Sequence, residues 1–463
     1  MPDSPLAPVL TPSGWELLNG LPAYDTIDPV ALNLKLRQQG HAPETVAAAL
    51  SQAELRARGR RKFAEFAASM LFTREGLEQA TRLSVASLHA ERFRRAGLTD
   101  VADLGCGLGG DSMALAALGL NVVAVDADET TAAVATMNLR TFPEAQVLHT
   151  TAEDFIAERS PLPEGWGIWL DPARRDLDKG RSSQGRASRL WDPEAFSPPL
   201  SFVTELAATG VPLGVKLGPG IPHDLIPSGC EAEWISVDRE VVEVVLWFNA
   251  LARPGVRRAA TVLTHAGHGD AEVARRPESP ARPESPASPE PLASPEPSAR
   301  RESAELTSSA DFGDRHGEDH SSSQAPVSGV EGLVGILYEP DGAVIRAGLV
   351  SDLAAAPEGR LLDEHIAYFT ADEELAPELR RLARGYAIRE VMSFSVKRLR
   401  RWVQEEGVTS LEIKKRGVDV VPEQLRRELL GRKKAAKGAA VHRSLVLTRI
   451  GRQRVAVVVD PLP

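Results

Sequence analysis

A glycine-rich turn between two apolar runs is the part of the sequence best suited to hold a cofactor. Residues 101–126, VADLGCGLGGDSMALAALGLNVVAVD, read as a strand, a tight turn, a helix and a second strand that ends in a carboxylate. In that order, the backbone N–H groups at the start of the helix can hold a phosphate or a carboxylate. We therefore expect a cofactor-binding loop here rather than an ordinary turn that packs a helix on a strand.

The glycines fit two cofactor patterns. Gly105, Gly107 and Gly110 match the GxGxxG of dinucleotide sites, whereas Gly105, Gly107 and Gly109 match the GxGxG of methyl-donor sites. Asp103, two residues before the first glycine, favours the second pattern because a carboxylate there could meet an ammonium group. S-adenosylmethionine carries such a cation at its amino-acid end, and a nicotinamide cofactor does not.

Two more carboxylates follow the next strands. Asp126 ends the second strand, where either cofactor would present its ribose hydroxyls. Asp154, in TAEDF, follows the third predicted strand, where many methyltransferases meet the adenine amino group. Together with Glu153, it could equally well form a helix N-terminus with favourable dipole pairing, so both interpretations stay open.

The motif WLDPARR ends the fourth predicted strand, beside the cofactor in a sheet of this kind. Asp171 could orient or deprotonate an attacking group, Pro172 would restrict the backbone, and Arg174 or Arg175 could hold a phosphate. A strand-terminating turn with solvated arginines is the alternative. Lys216, at the end of the fifth predicted strand, lies at the same sheet edge and could touch substrate, although a solvated lysine is also expected there.

The elements that position these residues fall into four regions. Residues 1–97 carry apolar side chains at helical spacing, and residues 98–264 alternate short apolar runs with helix-length segments. The second pattern is typical of an α/β fold with a parallel sheet covered by helices. Near its end, CEAEWISVDREVVEVVLWFNAL predicts a hairpin across Asp238 and Arg239 that closes the sheet edge.

The composition then changes abruptly. Residues 265–331 contain near-repeats such as RRPESPARPESPASPEPLASPEPS, which cannot bury enough apolar surface to offset the entropy of ordering. They predict a disordered linker rich in Pro, Ser and Glu. Residues 332–463 return to a mixed pattern of helices and strands, and SLVLTRIGRQRVAVVVD predicts a closing hairpin.

Composition excludes several classes of protein. A formal net charge of -10 argues against a protein that coats nucleic acid with its whole surface. The sequence has no signal-peptide pattern and no membrane-spanning run, so we expect a cytoplasmic protein without a membrane partner. Two cysteines exclude a disulfide framework and are too few for a structural zinc site, and we predict neither a metal site nor an obligate protein partner.

The charge is strongly segregated along the chain. Residues 379–463 hold 21 lysines and arginines against 8 aspartates and glutamates. Lys414, Lys415 and Arg416 are the predicted RNA contacts in this region, and Trp402 and Phe394 are possible stacking surfaces. Solvated helix faces with buried aromatic side chains are the alternative.

The motifs DLGCGLGGDS, VVAVDAD, AEDF and WLDPARR together resemble a class I S-adenosylmethionine-dependent methyltransferase. FTREGLEQATRLSVASLHAERF, VKLGPGIPH, YEPDGAVIRAGL and LEIKKRGVDV resemble a little-characterised bacterial group of these enzymes with a C-terminal THUMP-like domain. The resemblance implies a Rossmann-like sheet with a reversed final strand, S-adenosyl-L-methionine as cofactor and, for many relatives, an RNA substrate such as tRNA or rRNA. It also implies that Gln79 and Thr81 lie over the cofactor as a lid.

One position departs from the family pattern. Enzymes that methylate amino groups of nucleic-acid bases place an aromatic residue where this chain has Arg174. Because of this departure, the sequence gives no support for the amino group of a base as the methyl acceptor. We expect an RNA methyltransferase, with two alternatives: a small-molecule methyltransferase of the same fold, or an RNA adaptor that binds S-adenosylmethionine without turnover.

Overall fold

The computed structural model describes residues 4–174, 192–264, 302–312, 327, 329–363, 365–431 and 441–462. Its contacts divide the chain into two compact units. Unit 1 comprises Met1–Glu231 and Val245–Pro254, and unit 2 comprises Ala232–Val244 and Gly255–Pro463.

Unit 1 begins with the predicted helical region. Proline occupies the first helical turn of its first three helices, where the missing N–H costs nothing. Thr11 and Asp28 cap the first two helices by accepting hydrogen bonds from backbone N–H groups. The helices are α1 (Pro12–Asn19), α2 (Pro29–Gln38), α3 (Pro43–Phe63), α4 (Arg74–Gln79) and α5 (Leu83–Arg95).

The rest of unit 1 alternates strands and helices, as predicted. Its elements are β1 (Asp100–Leu104), α6 (Gly110–Ala117), β2 (Asn121–Asp126), α7 (Glu129–Leu139), β3 (Ala145–His149), α8 (Ala152–Arg159), β4 (Trp166–Leu170), β5 (Ala173–Arg174), β6 (Phe196–Ser197), α9 (Leu200–Ala208) and β7 (Leu213–Leu217). Strands β7, β4, β1, β2 and β3 lie side by side and parallel in that order. Parallel strands end at the same edge, so Leu104 is in register with both Val125 and Leu170. The residues that follow these strands therefore lie next to one another.

The predicted hairpin consists of β8 (Glu231–Val237) and β9 (Glu240–Phe248). Asp238 and Arg239 form its turn with φ of 49° and 74°, the left-handed conformations that a two-residue hairpin turn requires. The strand order of the whole sheet is β11-β10-β8-β9-β7-β4-β1-β2-β3, which confirms the reversed strand. The hairpin does not close the sheet edge, because β10 (Arg258–Thr264) pairs with β8 and β11 (Glu302–Ser308) pairs with β10.

Strand β11 corrects the prediction of a linker over residues 265–331. Its sequence, ESAELTS, buries Ala304 and leaves mostly polar side chains on the surface, which is sufficient for a strand at the edge of a sheet. The low apolar content of the surrounding stretch concealed this short alternation. Residues 265–301, 313–326 and 328 lie outside the described residues.

The C-terminal part of unit 2 is an α+β module, as predicted. Its elements are β12 (Ile336–Pro340), α10 (Gly342–Arg346), α11 (Val350–Ala355), β13 (Arg360–Asp363), β14 (Ile366–Ala371), β15 (Ala383–Ser393), α12 (Val396–Glu405), β16 (Ser410–Lys415), α13 (Pro422–Leu430), β17 (His442–Ile450) and β18 (Gln453–Pro461). The strands form a sheet in the order β13-β14-β12-β15-β18-β17-β16, and β17 and β18 are the predicted closing hairpin. In the part of the chain described, no helix is long and apolar enough to cross a membrane.

Candidate functional site

The glycine loop follows β1 and has the backbone of an alternating GxGxG pattern. Gly105, Gly107 and Gly109 have φ of 87°, 57° and 83°, the left-handed region that favours glycine. Gly110, the third glycine of the competing GxGxxG pattern, is already the first residue of α6. The left-handed backbone conformation therefore occurs at the three glycines of the methyl-donor pattern.

The loop touches the end of β4 through backbone atoms. A Cβ atom on Gly105 would lie 2.7 Å from the carbonyl oxygen of Asp171. The Asp171 N–H donates a hydrogen bond of 3.1 Å to the Leu104 carbonyl. The predicted cofactor loop and the predicted catalytic aspartate are thus neighbours, and the absence of a side chain on Gly105 permits their approach.

Asp103 is buried beside the loop and only partly satisfied. Asp103 is 1% exposed, and its Oδ2 accepts a hydrogen bond of 2.5 Å from Ser112 Oγ. Oδ1 has no hydrogen-bond partner among the residues that the structure describes. Burial, and then the neighbouring Asp111 carboxylate, raise the pKa of Asp103 to about 8. The site therefore holds a carboxyl group with an unused oxygen, which suits a cation.

Asp126 lies at the end of β2 and braces the same loop. Its Oδ2 accepts a hydrogen bond of 3.0 Å from Gly107 N–H, and its Oδ1 accepts one of 2.9 Å from Asp128 N–H. Burial raises the pKa of Asp126, although these two hydrogen bonds oppose the rise. Each carboxylate oxygen can accept more than one hydrogen bond, so the predicted ribose contact is compatible with this geometry.

The end of β3 adds one residue that the sequence did not single out. His149 is in register with Asp126, and its Nε2 lies 3.1 Å from the Ala127 carbonyl oxygen. Asp154 is exposed in the first turn of α8. The N-cap of that helix is Thr151, whose Oγ1 accepts a hydrogen bond from Asp154 N–H. The capping function proposed for the acidic pair thus belongs to Thr151, and the carboxylate of Asp154 stays a predicted adenine contact.

Asp171 has a buried lysine as its partner. Lys216 Nζ, on neighbouring β7, lies 2.5 Å from Asp171 Oδ2 and donates a hydrogen bond of 3.0 Å to Thr81 Oγ1. Only 13% of the Lys216 side chain is exposed, which excludes the solvated lysine considered from sequence. Arg174 is in β5, which pairs with β6, whereas Arg175 lies outside the described residues.

A second buried pair, formed by His89 and Asp111, lies near Thr81. His89 Nδ1 on α5 lies 2.8 Å from Asp111 Oδ1 on α6, and the imidazole packs on the indole of Trp169 with ring centroids 4.2 Å apart. Burial alone would raise the pKa of Asp111, but hydrogen bonds from His89 and Thr81 and the charge of Lys216 hold it below its ordinary value. Sequence reasoning missed this pair because 22 residues separate its members.

Two amide side chains hold the segment before α4, and one of them also joins it to the glycine loop. Asn138 on α7 accepts a hydrogen bond of 2.7 Å from Leu71 N–H and donates hydrogen bonds of 3.0 Å to the carbonyls of Leu71 and Leu108. Gln52 on α3 makes a matching pair of hydrogen bonds with the backbone of Phe72. The segment that leads into α4 is consequently part of the site.

The predicted RNA contacts in unit 2 separate onto two faces of the sheet. Lys414 Nζ lies 3.1 Å from Glu339 Oε2, and the guanidinium of Arg416 lies 5.3 Å from the ring centroid of Tyr368. Lys415 is exposed, on the strand face that carries buried Leu411 and Ile413. Of the three predicted cations, Lys415 is the one that faces solvent most fully.

Helix α12 carries four exposed cations within five positions. Leu399, Trp402 and Val403 are spaced along one face of the helix and are buried in the core of the module. Trp402 is 7% exposed, so the predicted stacking surface is wrong: the indole is part of the apolar face that anchors the helix. The opposite face exposes Lys397, Arg398, Arg400 and Arg401.

Two family models match the chain. A model of a THUMP domain-like family matches residues 383–461, which run from β15 into β18. A model of a domain of unknown function matches residues 4–59, in the N-terminal helical region.

Relatives and solved structures extend over most of the chain. It is 30% identical over 390 residues to an uncharacterized S-adenosylmethionine-dependent methyltransferase found in two strains of Mycobacterium tuberculosis. The matched part is 82% of this chain and 85% of the relative. The fold is similar to a crystal structure named as a methyltransferase from Porphyromonas gingivalis W83, with a TM-score of 0.65, 20% identity, and coverage of 99% of this chain and 98% of that chain.

Proposed function

Since the chain belongs to the S-adenosylmethionine-dependent methyltransferases, we propose that its methyl acceptor is a nucleotide of RNA. Its cofactor is S-adenosylmethionine, as the sequence predicted, and the sulfonium of that cofactor supplies an electrophilic methyl group. The enzyme class is therefore established, and the proposal concerns the acceptor and the residues that serve it.

The residues around the loop fit this cofactor. The unpartnered Oδ1 of Asp103 is a buried acceptor suited to an ammonium group, and the Asp126 carboxylate can accept ribose hydroxyls. Gly105, Gly107 and Gly109 hold the backbone in the conformation that lets a ligand approach it. Asp154 is proposed as the contact to the adenine amino group.

Asp171 is proposed to serve the acceptor. Its Oδ2 is held by Lys216, so its orientation relative to the glycine loop is set before substrate arrives. The carboxylate can then orient the attacking atom and accept its proton. Pro172 is buried and restricts the backbone after Asp171, and Arg174 and Arg175 are proposed to hold a phosphate of the substrate.

The observation that carries the RNA proposal is the exposed cationic face of α12. Lys397, Arg398 and Arg401 form no ion pair with any residue that the structure describes, whereas Arg400 pairs with Glu428 at 3.0 Å. Like charges three and four positions apart on a helix repel each other by a few tenths of a kcal/mol. A phosphate backbone would relieve that repulsion, and Lys415 is a further exposed cation of the same module.

The family match supports this placement of the RNA contacts. Residues 383–461, which match the THUMP domain-like family, include α12 and β16. Because the whole chain has a net charge of -10, the surplus of cations in this module is a local feature and not a general property of the chain. Phosphate contacts and counterion release would then supply most of the affinity for RNA.

Filter binding by the full chain over a salt series tests the proposal. We expect total tRNA or rRNA fragments to bind, with log K falling linearly as log salt concentration rises, by a slope of about 0.9 per phosphate contact. The double variant Lys397→Glu and Arg401→Glu should weaken binding to every RNA tested and reduce the slope by about 2. Lys35→Glu with Arg37→Glu, the same charge change on exposed α2, is the matched control and should leave binding unchanged.

Nucleosides from the RNA of a strain that lacks the gene identify the product. We expect mass spectrometry to find one methylated nucleoside missing relative to the parent strain. No RNA binding at low salt would refute the proposal and favour a small-molecule acceptor. Binding without any missing nucleoside would instead favour an adaptor that does not methylate RNA.

A further inference from the structure

A chain of buried polar groups leads from Asp171 into the N-terminal helical region. Lys216 Nζ contacts Asp171 Oδ2 at 2.5 Å and Thr81 Oγ1 at 3.0 Å. Both Lys216 and Thr81 also lower the pKa of the buried Asp111 carboxyl. His89 Nδ1 completes the chain at 2.8 Å from Asp111 Oδ1. Hydrogen bonds therefore join Asp171, Lys216 and Thr81, and the neighbouring pair of Asp111 and His89 is linked to them by electrostatics.

The direction of each hydrogen bond follows from the chemistry of its members. An ammonium group can only donate, so Thr81 Oγ1 must accept from Lys216 Nζ. The Thr81 hydroxyl is thus the second anchor of the Lys216 ammonium group, whose other partner is the Asp171 carboxylate. Thr81 also lies close enough to the Asp111 carboxyl to lower its pKa.

We propose that Thr81 is a positioning residue for methyl transfer, acting through Lys216 to hold the Asp171 carboxylate in its orientation. The inference rests on the proposed role of Asp171. It assigns Thr81 to the catalytic centre instead of to the cofactor lid that the family resemblance implied. The N-terminal region, through Thr81 between α4 and α5, then supplies part of the site that serves the methyl acceptor.

The surroundings of Thr81 support a fixed orientation. Thr81 is 6% exposed, and its carbonyl oxygen lies 3.6 Å from the position of a Cβ built on Gly110 at the start of α6. Lys62 Nζ donates a hydrogen bond of 2.7 Å to the carbonyl of Ala80, directly before Thr81. These contacts hold the backbone of Ala80 and Thr81, so the Thr81 hydroxyl has little freedom to move away from Lys216.

Three variants separate positioning from packing. Thr81→Val keeps the shape of the side chain and removes the hydroxyl, whereas Thr81→Ser keeps the hydroxyl. We expect Thr81→Val to lower kcat about 3- to 10-fold with KM and cofactor affinity little changed, and Thr81→Ser to restore most of the activity. Thr136→Val is the matched control, because the Thr136 hydroxyl bonds only to the Ala132 carbonyl of its own helix in the described structure.

A titration that needs no substrate distinguishes this inference from the role of Asp171 in catalysis. Among the described residues, the charged groups near Asp171 include Lys216 on β7 and Asp103 on β1, and Asp103 in turn lies near Asp111 on α6. With aspartate carboxyls labelled with carbon-13, NMR of the full chain should show Asp171 ionising at higher pH in Lys216→Met, by about one to three units. Thr81→Val should move it in the same direction by up to about one unit, because the ammonium group loses its second anchor.

The outcomes decide between the two ideas. An Asp171 titration that is identical in Thr81→Val and the unsubstituted chain would overturn the role of Thr81. Equal loss of activity in Thr81→Val and Thr81→Ser would also overturn it, because packing would then be the cause. An altered titration together with full activity in Asp171→Asn would instead leave the hydrogen-bonded chain intact and refute the catalytic role of Asp171.

Discussion

Binding of S-adenosylmethionine should release a proton from Asp103. The carboxyl group is fully buried, Ser112 satisfies one oxygen, and the other oxygen has no partner in the described structure. Its pKa of about 8 means that the protonated form predominates at pH 7. An ammonium group beside Oδ1 stabilises the charged form, so the proton must leave as the cofactor binds.

The magnitude follows from that pKa. Between pH 5.5 and 7.5 the protonated carboxyl is the main form of the free protein, and the amino group of the ligand, with an ordinary pKa of about 7.7–8.0, stays protonated. Each unit of pH therefore makes the binding-competent, ionised form of Asp103 about tenfold more abundant. The dissociation constant should fall about tenfold for each unit of pH over this range.

The same shift affects the stability of the protein without cofactor. Asp103 has a raised pKa in the folded chain, so between about pH 4 and pH 8 the folded state binds more protons than the unfolded state. Stability should consequently fall as pH rises through this window. Asp103→Asn should remove that loss, and its stabilising effect on thermal unfolding should be larger at pH 8 than at pH 5.

Calorimetric titration in two buffers with different ionisation enthalpies counts the protons released. We expect close to one proton at pH 7 for the unsubstituted chain and none for Asp103→Asn, which should also bind more weakly because a charge-assisted contact of about 1.5–3 kcal/mol is lost. Asp100→Asn, at the other end of β1, is the control. The reasoning is refuted if affinity is independent of pH between 5.5 and 7.5 and no proton is released.

Two further predictions concern the other side of the site. Asp171→Asn should leave S-adenosylmethionine affinity within a few-fold, by calorimetry, and lower turnover by about 100-fold or more, the usual scale for loss of a general base; unchanged turnover would assign Asp171 to structure. Gly105→Ala should weaken both cofactor binding and turnover, because its φ is 87° and its Cβ would lie 2.7 Å from a carbonyl oxygen. Gly107→Ala, with φ of 57° and no atom within 4 Å of the added carbon, should cost much less in the same two assays.

Local patterns in the sequence were sufficient for the cofactor loop. Glycines with positive φ, apolar strands and a carboxylate at each strand end are requirements of neighbouring residues, so they can be recognised within a stretch of about 25 residues. The hairpin across Asp238 and Arg239 was recognisable for the same reason. Parallel strands then bring Gly105 and Asp171 to one edge without any further information.

Pairings between distant segments could not be predicted in the same way. Lys216 and Asp171 were both placed at the sheet edge, but nothing in either motif states that the two side chains meet. Thr81 and Asp111 depend on how the helical region packs on the sheet, which no local periodicity encodes. The prediction for Trp402 was wrong for a different reason. Its helical spacing with other apolar residues places it in the core, although its neighbours in the sequence are basic.

The distribution of hydrogen-bond donors explains why this site can accept one more cation. Asp103 and Asp111 are buried close together, and two neighbouring carboxylates in a medium of low polarity do not both ionise readily. His89, Thr81 and the charge of Lys216 lower the pKa of Asp111, whereas Asp103 has a hydrogen bond from Ser112 as its one partner in the described structure. The proton therefore resides on Asp103, and the negative charge that appears when the proton leaves is matched by the ammonium group of the cofactor.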